Sequence, residues 1–125
     1  MQQVLAVMLG GGIGAAMRFG MSGALHRFLG SDFHYGTFVV NVLGSFILGI
    51  LVEIGDTQQL IPVRMVPLLT IGFCGGFTTF STFAFESVSL LTQGKFFEAL
   101  FNILANVLVC VIAVYAGMQL MKAAG

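Results

Sequence analysis

The sequence predicts an all-α integral membrane protein with four transmembrane helices per chain, the third broken near Gly75-Gly76, assembled as an antiparallel dual-topology homodimer. Three observations lead there. Of 125 residues, 58% are hydrophobic and 8% charged, with a mean hydropathy of +1.02. A soluble domain would lack the charged exterior it needs. Crossing the hydrocarbon takes about 20 apolar residues, and four such stretches, residues 4–25, 36–52, 66–91 and 96–121, fill residues 1–125 as a single four-span membrane domain. The basic residues, finally, divide almost evenly between the two sides of the membrane. A formal net charge of zero offers nucleic acid no basic surface.

The first span follows Met1-Gln2-Gln3, which lacks the basic region of a cleavable signal, so it is expected to be retained. Gly10, Gly11, Gly12 and Gly14 precede Arg18, and Gly10-x-x-x-Gly14 is a spacing that lets helices approach closely, most often for packing alone. Arg18, about a turn from the end of the span, either snorkels to the interface or lines an aqueous vestibule and attracts anions. In the second span Asn41 is the only strong amide. Its carboxamide either joins two helices or turns a donor toward an anion path.

The third span carries the densest pattern, Gly72-Phe73-Cys74-Gly75-Gly76-Phe77-Thr78-Thr79-Phe80-Ser81-Thr82-Phe83. Two adjacent glycines loosen a helix. Phe80 and Phe83 are neighbours at i, i+3, and Thr79, Thr82 and Glu86 form an adjoining polar stripe. Phenylalanines at this spacing also serve as plain filler, and hydroxyls also bond back to their own helix. A break near Gly75 would strip carbonyls and amides of their intrahelical partners, at a cost on the order of several kcal/mol for each group left unsatisfied in lipid. Freed carbonyls favour a cation, whereas helix N-termini, hydroxyls and the positive edges of phenyl rings favour an anion.

In the fourth span Asn102 and Asn106 lie one turn apart on the same face, with Tyr115 further along. Asn106 is the deeper of the two and is a candidate for a pore-facing or interface hydrogen bond. Cys74 and Cys110 fall inside spans without nearby histidines and read as packing residues rather than a zinc site. Asp32, Glu53, Asp56 and Glu98 are expected near water, with no special role.

Short connections at residues 26–35, 53–62 and 92–95 put both termini and the middle loop on one side. That side holds Arg64 and Lys122, the other Arg27 and Lys95, and Arg18 shifts the balance only slightly. So weak a bias favours insertion in both orientations over a fixed topology. Two inverted copies would then play the part of the inverted repeats of larger transporters. A small proton-coupled exporter has a similar outline but needs a membrane-embedded carboxylate, and only Glu86 lies well inside a span. No nucleophile, base and orienting group can be assembled into an enzyme site.

Taken together, Gly11-Gly12-x-Gly14-Ala15-x-x-Arg18, Gly36-Thr37-x-x-x-Asn41-x-x-Gly44 and above all the Gly72–Phe83 run resemble the Fluc (CrcB) fluoride channels, over essentially the whole chain. Cys110 departs from the small or hydroxyl residue expected at its position. The resemblance implies an antiparallel homodimer in the inner (plasma) membrane of a bacterium, with two fluoride pores built from both subunits. Fluoride would leave the cytoplasm passively, since hydrofluoric acid enters uncharged and dissociates inside. By position, Asn41 would donate to fluoride and Phe80 and Phe83 would present ring edges to it. Thr79, Ser81 and Thr82 would supply hydroxyls, and Arg18 would help form the vestibule, for which Glu86 is also suited. Carbonyls of Gly75 and Thr78 from both subunits would hold a structural sodium ion.

Overall fold

The computed structural model describes residues 2–30 and 34–125. It contains α1 (Gln2–Leu29), α2 (Tyr35–Val52), α3 (Gly75–Phe77), α4 (Phe80–Thr92) and α5 (Phe96–Ala124). These form four helical segments long and apolar enough to cross a membrane, Gln2–Leu29, Tyr35–Thr57, Val63–Thr92 and Phe96–Ala124. Each expected span is therefore present, lengthened by a few residues at one or both ends. Many large apolar side chains, among them Phe19, Phe28 and Phe97, point outward, as they can when the solvent is hydrocarbon.

The third segment is the least regular. It opens as a 3₁₀ turn at Val63–Met65, widens into a π-helical stretch at Leu68–Cys74, and continues through α3 to a break. Pro67 has no N–H to give the helix, and the Thr70 hydroxyl donates back to the Val66 carbonyl at 2.7 Å. Both disturb the regular ladder at the point where the helix widens.

The break itself lies beyond the glycine pair. Gly75 is helical, at φ −63° and ψ −37°, and the extended residues are Thr78 (φ −89°, ψ 163°) and Thr79 (φ −150°, ψ 115°). The expected break near Gly75-Gly76 thus moves two to three residues toward the C-terminus. Gly76 instead permits a close helix crossing, because a Cβ there would strike the Gly11 backbone of α1. Gly10 and Gly14 likewise meet backbone of the third segment around Leu68 and Phe73, so the glycines of α1 form a close-packed seam. A second seam joins α2 to α5, where Gly49 faces the Val114 backbone and Gly117 faces the Phe46 carbonyl.

One acid departs from expectation. Glu53, expected near water, is only 2% exposed. It opens the π turn Glu53–Thr57 that ends the second segment, and this turn carries the chain back against the end of α5. The Gln58 Nε2 reaches Glu53 Oε1 at 3.4 Å and donates to the Met121 carbonyl at 3.1 Å. Glu53 Oε2 has no partner among the described residues. Asp56 and Glu98 are exposed as expected, and Asp32 lies outside the described residues.

Candidate functional site

The site is built on the interruption between α3 and α4, and Asn41 of α2 spans it. Asn41 Oδ1 accepts the Thr79 N–H at 2.8 Å, while Nδ2 donates to the Thr79 carbonyl at 3.1 Å. One side chain thereby replaces the helical neighbours that an extended Thr79 forfeits. The second Nδ2 hydrogen goes to Asn106 Oδ1 of α5, at 3.2 Å. Both donors of Asn41 are therefore engaged within the chain.

From Asn106 the bonding continues as a buried relay. Asn106 Nδ2 donates to the Asn102 carbonyl at 2.9 Å and to Asn102 Oδ1 at 3.1 Å. Asn102 Nδ2 donates to Ser87 Oγ at 3.0 Å, and that hydroxyl donates to the Phe83 carbonyl at 2.9 Å. Sequence reasoning pairs Asn102 with Asn106 but overlooks Ser87. The available signal was its i, i+4 relation to Phe83, which permits the back-bond that fixes its hydroxyl.

Two carbonyls at the end of α3 are redirected by this arrangement. The Thr79 N–H, which a continuous helix would offer to the Gly75 carbonyl, goes to Asn41 instead. The Gly76 carbonyl accepts from Arg18 Nε at 3.1 Å. Arg18 is thus anchored to the broken segment, not merely extended toward an interface. Thr78 gives both its N–H and its hydroxyl to the Cys74 carbonyl, at 3.0 and 2.9 Å, and closes α3. Thr79 caps α4, its Oγ1 accepting the Thr82 N–H at 3.2 Å, which leaves the hydroxyl hydrogen for another acceptor.

Three cavities adjoin these residues. One of about 370 Å³ is lined by Asn41, Asn106, Phe80, Phe83, Cys74 and Cys110, among others. Phe80 and Phe83 form an edge-to-face pair there, with centroids 5.4 Å apart and planes at 63°. Phe83 is buried, whereas Phe80 is 76% exposed on the outside of the chain. A second cavity, of about 430 Å³, contains Arg18, Arg27, Ser22, Thr79, Thr82 and Glu86. Thr79 lines both cavities. The third, of about 190 Å³, is bounded by His26, His34, Ser22, Thr37 and Glu86.

Glu86 stands between the second and third cavities. Its Oε2 accepts the Thr37 hydroxyl at 2.8 Å and lies 3.4 Å from His34 Nδ1, while Oε1 is buried without a partner among the described residues. Ser81 stands apart, exposed on α4 and lining none of the three cavities. Gly75 and Thr78 line the first cavity, and a Cβ on Gly75 would meet nothing. No group of three or more His, Cys, Asp or Glu side chains able to hold a metal occurs among the described residues. Electrostatically, the second cavity joins two guanidinium groups and the N-terminal end of α4, which favour an anion, to the Glu86 side chain, whose carboxylate form opposes one.

Comparison with known proteins bears on this arrangement. Residues 5–118 match the family described as CrcB-like protein, Camphor Resistance (CrcB). The chain is 44% identical over 116 residues to the fluoride-specific ion channel FluC of Magnetococcus marinus, covering 93% of this chain and 94% of the relative. It is 43% identical over 120 residues to the FluC of Shewanella pealeana, covering 96% of each. For the FluC of Geobacter metallireducens the identity is 42% over 119 residues, or 95% of this chain and 96% of the other. With the match running through all four helical segments, the chain belongs to the CrcB family.

Proposed function

We propose that the chain forms a fluoride-selective channel that lets fluoride leave the cytoplasm passively, across the inner (plasma) membrane of a bacterium. The observation that carries this reading is the interrupted third segment. There the capped N-terminus of α4, the Thr79 and Thr82 hydroxyls and Arg18 share one cavity, and Thr79 leads into the Phe80–Phe83 cavity. The relatives named as fluoride-specific channels supply the identity of the ion. An anion favoured by Arg18 in the vestibule would pass the Thr79 and Thr82 hydroxyls and meet the positive edges of the two phenyl rings. Ser81 joins this path only if a second copy closes over the exposed side of α4. Asn41 would both hold the break open and turn an amide hydrogen toward the ion, releasing one of its present acceptors to do so.

The functional unit in this reading is an antiparallel homodimer with two pores, each drawing residues from both copies. The exposure of Phe80 supports it, because a phenyl ring open on the outside of one chain becomes a pore wall when another chain covers it. A structural sodium ion fits the same interface. The Gly75 carbonyl has lost its helical N–H partner, and Gly75 is exposed on the surface of the chain. Gly75 and Thr78 carbonyls from both copies would bind the ion, and its charge would balance those oxygens and tie the copies together.

Fluoride and chloride efflux from proteoliposomes tests the reading. The expected result is fast fluoride efflux without chloride efflux, collapsing in Phe80→Ile. Proton movement coupled to an organic cation, with no fluoride efflux, would overturn it and make Glu86 the residue of a proton-coupled exporter.

A further inference from the structure

The pairing of His34 with Glu86 is unused by the path just described. His34 stands at the start of α2, where its side chain makes no capping bond. Its ring turns instead to Glu86, Nδ1 to Oε2 at 3.4 Å, with side-chain exposures of 35% and 14%. The same carboxylate oxygen already accepts from Thr37, so Glu86 is held in place whichever charge His34 carries. Ser22, Thr37 and Glu86 are shared by the outer cavity that holds His34 and the inner one that holds Arg18.

Resting on the channel reading, we infer that His34 sets the charge an arriving anion meets at the mouth of the vestibule, and so makes conduction increase as pH falls. Histidine is the side chain whose charge changes between about pH 5 and 8. With His34 neutral, the Glu86 carboxylate faces the cavity unbalanced and repels an anion. With His34 protonated, the pair is neutral and the field of Arg18 dominates. The other ionisable groups bordering the two cavities are His26 and Arg27 of α1 and Tyr35 of α2. The arginines keep their charge throughout. Lys95 and Glu98, from the α4–α5 hairpin, line neither cavity, and Asp32 is outside the described residues. His26 is a second imidazole on the outer cavity, so the experiment must separate the two histidines. Acid is also the condition under which more fluoride crosses the membrane as the neutral acid, so the response has the sense that an export path needs.

The test measures fluoride current in reconstituted membranes at symmetrical pH, with leak through protein-free membranes subtracted. Wild-type conductance should be about threefold higher near pH 5.5 than near pH 8, the effect of one unit of charge several ångströms from the ion in a wet vestibule. His34→Gln should lose that response and stay at the low level. His34→Lys should stay at the high level, and Glu86→Gln should be high at both pH values. Opposite shifts in the two His34 variants cannot come from damaged folding. The response should also shrink as inert salt is added. A flat wild-type profile overturns the inference while leaving the channel reading intact, as does a response that persists in His34→Gln, which would move the effect to His26 or to protonation of Glu86 itself. Absence of fluoride current at every pH overturns both.

Discussion

Asn41 concentrates more of the site's geometry than any other side chain, since it bridges Thr79 on both its N–H and its carbonyl and reaches Asn106 as well. Asn41→Leu would leave the Thr79 backbone and the Asn106 oxygen without these protein partners. The expected cost is about 2–4 kcal/mol of stability, read as a lower melting temperature in detergent, together with loss of fluoride flux. Ser87→Ala should be milder. It strands one Asn102 amide hydrogen and costs about 1–2 kcal/mol, while fluoride flux in surviving protein stays near normal because Ser87 lines none of the three cavities. Glu53→Gln should not destabilise the chain, and its melting temperature should match or exceed the wild type's. The amide keeps an oxygen for Gln58 and puts an uncharged NH2 where the carboxylate oxygen has no partner, so that the burial of a charge is relieved. A clear drop would show that Glu53 is held by its charge. Composition and spacing identified Asn41, Arg18 and Glu86 as polar groups inside spans, but not their partners. Which carbonyl Arg18 reaches, or that His34 turns to Glu86, depends on how segments far apart in the chain are brought together.

At the scale of elements, two adjacent glycines should behave oppositely. Gly76→Ala places a methyl against the Gly11 backbone, forces α1 away from α3 and should cost about 1–3 kcal/mol or more, measured as loss of monodisperse protein. Gly75→Ala meets nothing within one chain and sits at helical dihedrals. It should fold normally, so any fall in assembly or flux would be assigned to a neighbouring copy; unchanged assembly and flux would argue against Gly75 lying at that interface. This contrast also explains what was legible. Four helical segments could be read from hydropathy alone, because backbone in lipid has little choice but to satisfy itself locally. The position of the break could not, since a Gly-Gly pair signals a loosened helix and a close crossing equally well. Here the crossing used the glycine at 76, and two threonines became extended. The burial of Glu53 was hidden for a similar reason: hydropathy marks the end of a span but not that a π turn folds it under α5.

For the whole molecule, the near balance of basic residues becomes an experiment on orientation. Gln93→Arg adds a charge between α4 and α5, and Gln59→Arg adds one to the side of the termini. Each should drive insertion toward a single, opposite orientation. Either variant alone should lose most fluoride flux, and co-expression should restore it; full activity from each alone would rule out an antiparallel pair. The Thr78-Thr79 interruption also bears on how the protein is made. Asn41, which satisfies Thr79, belongs to α2 and not to the broken segment. A solitary third segment in a bilayer would have nothing to meet those backbone groups and would lower its energy by closing into an unbroken helix. Biogenesis is therefore expected to have an order, the segment entering the membrane whole and opening when α2 docks beside it.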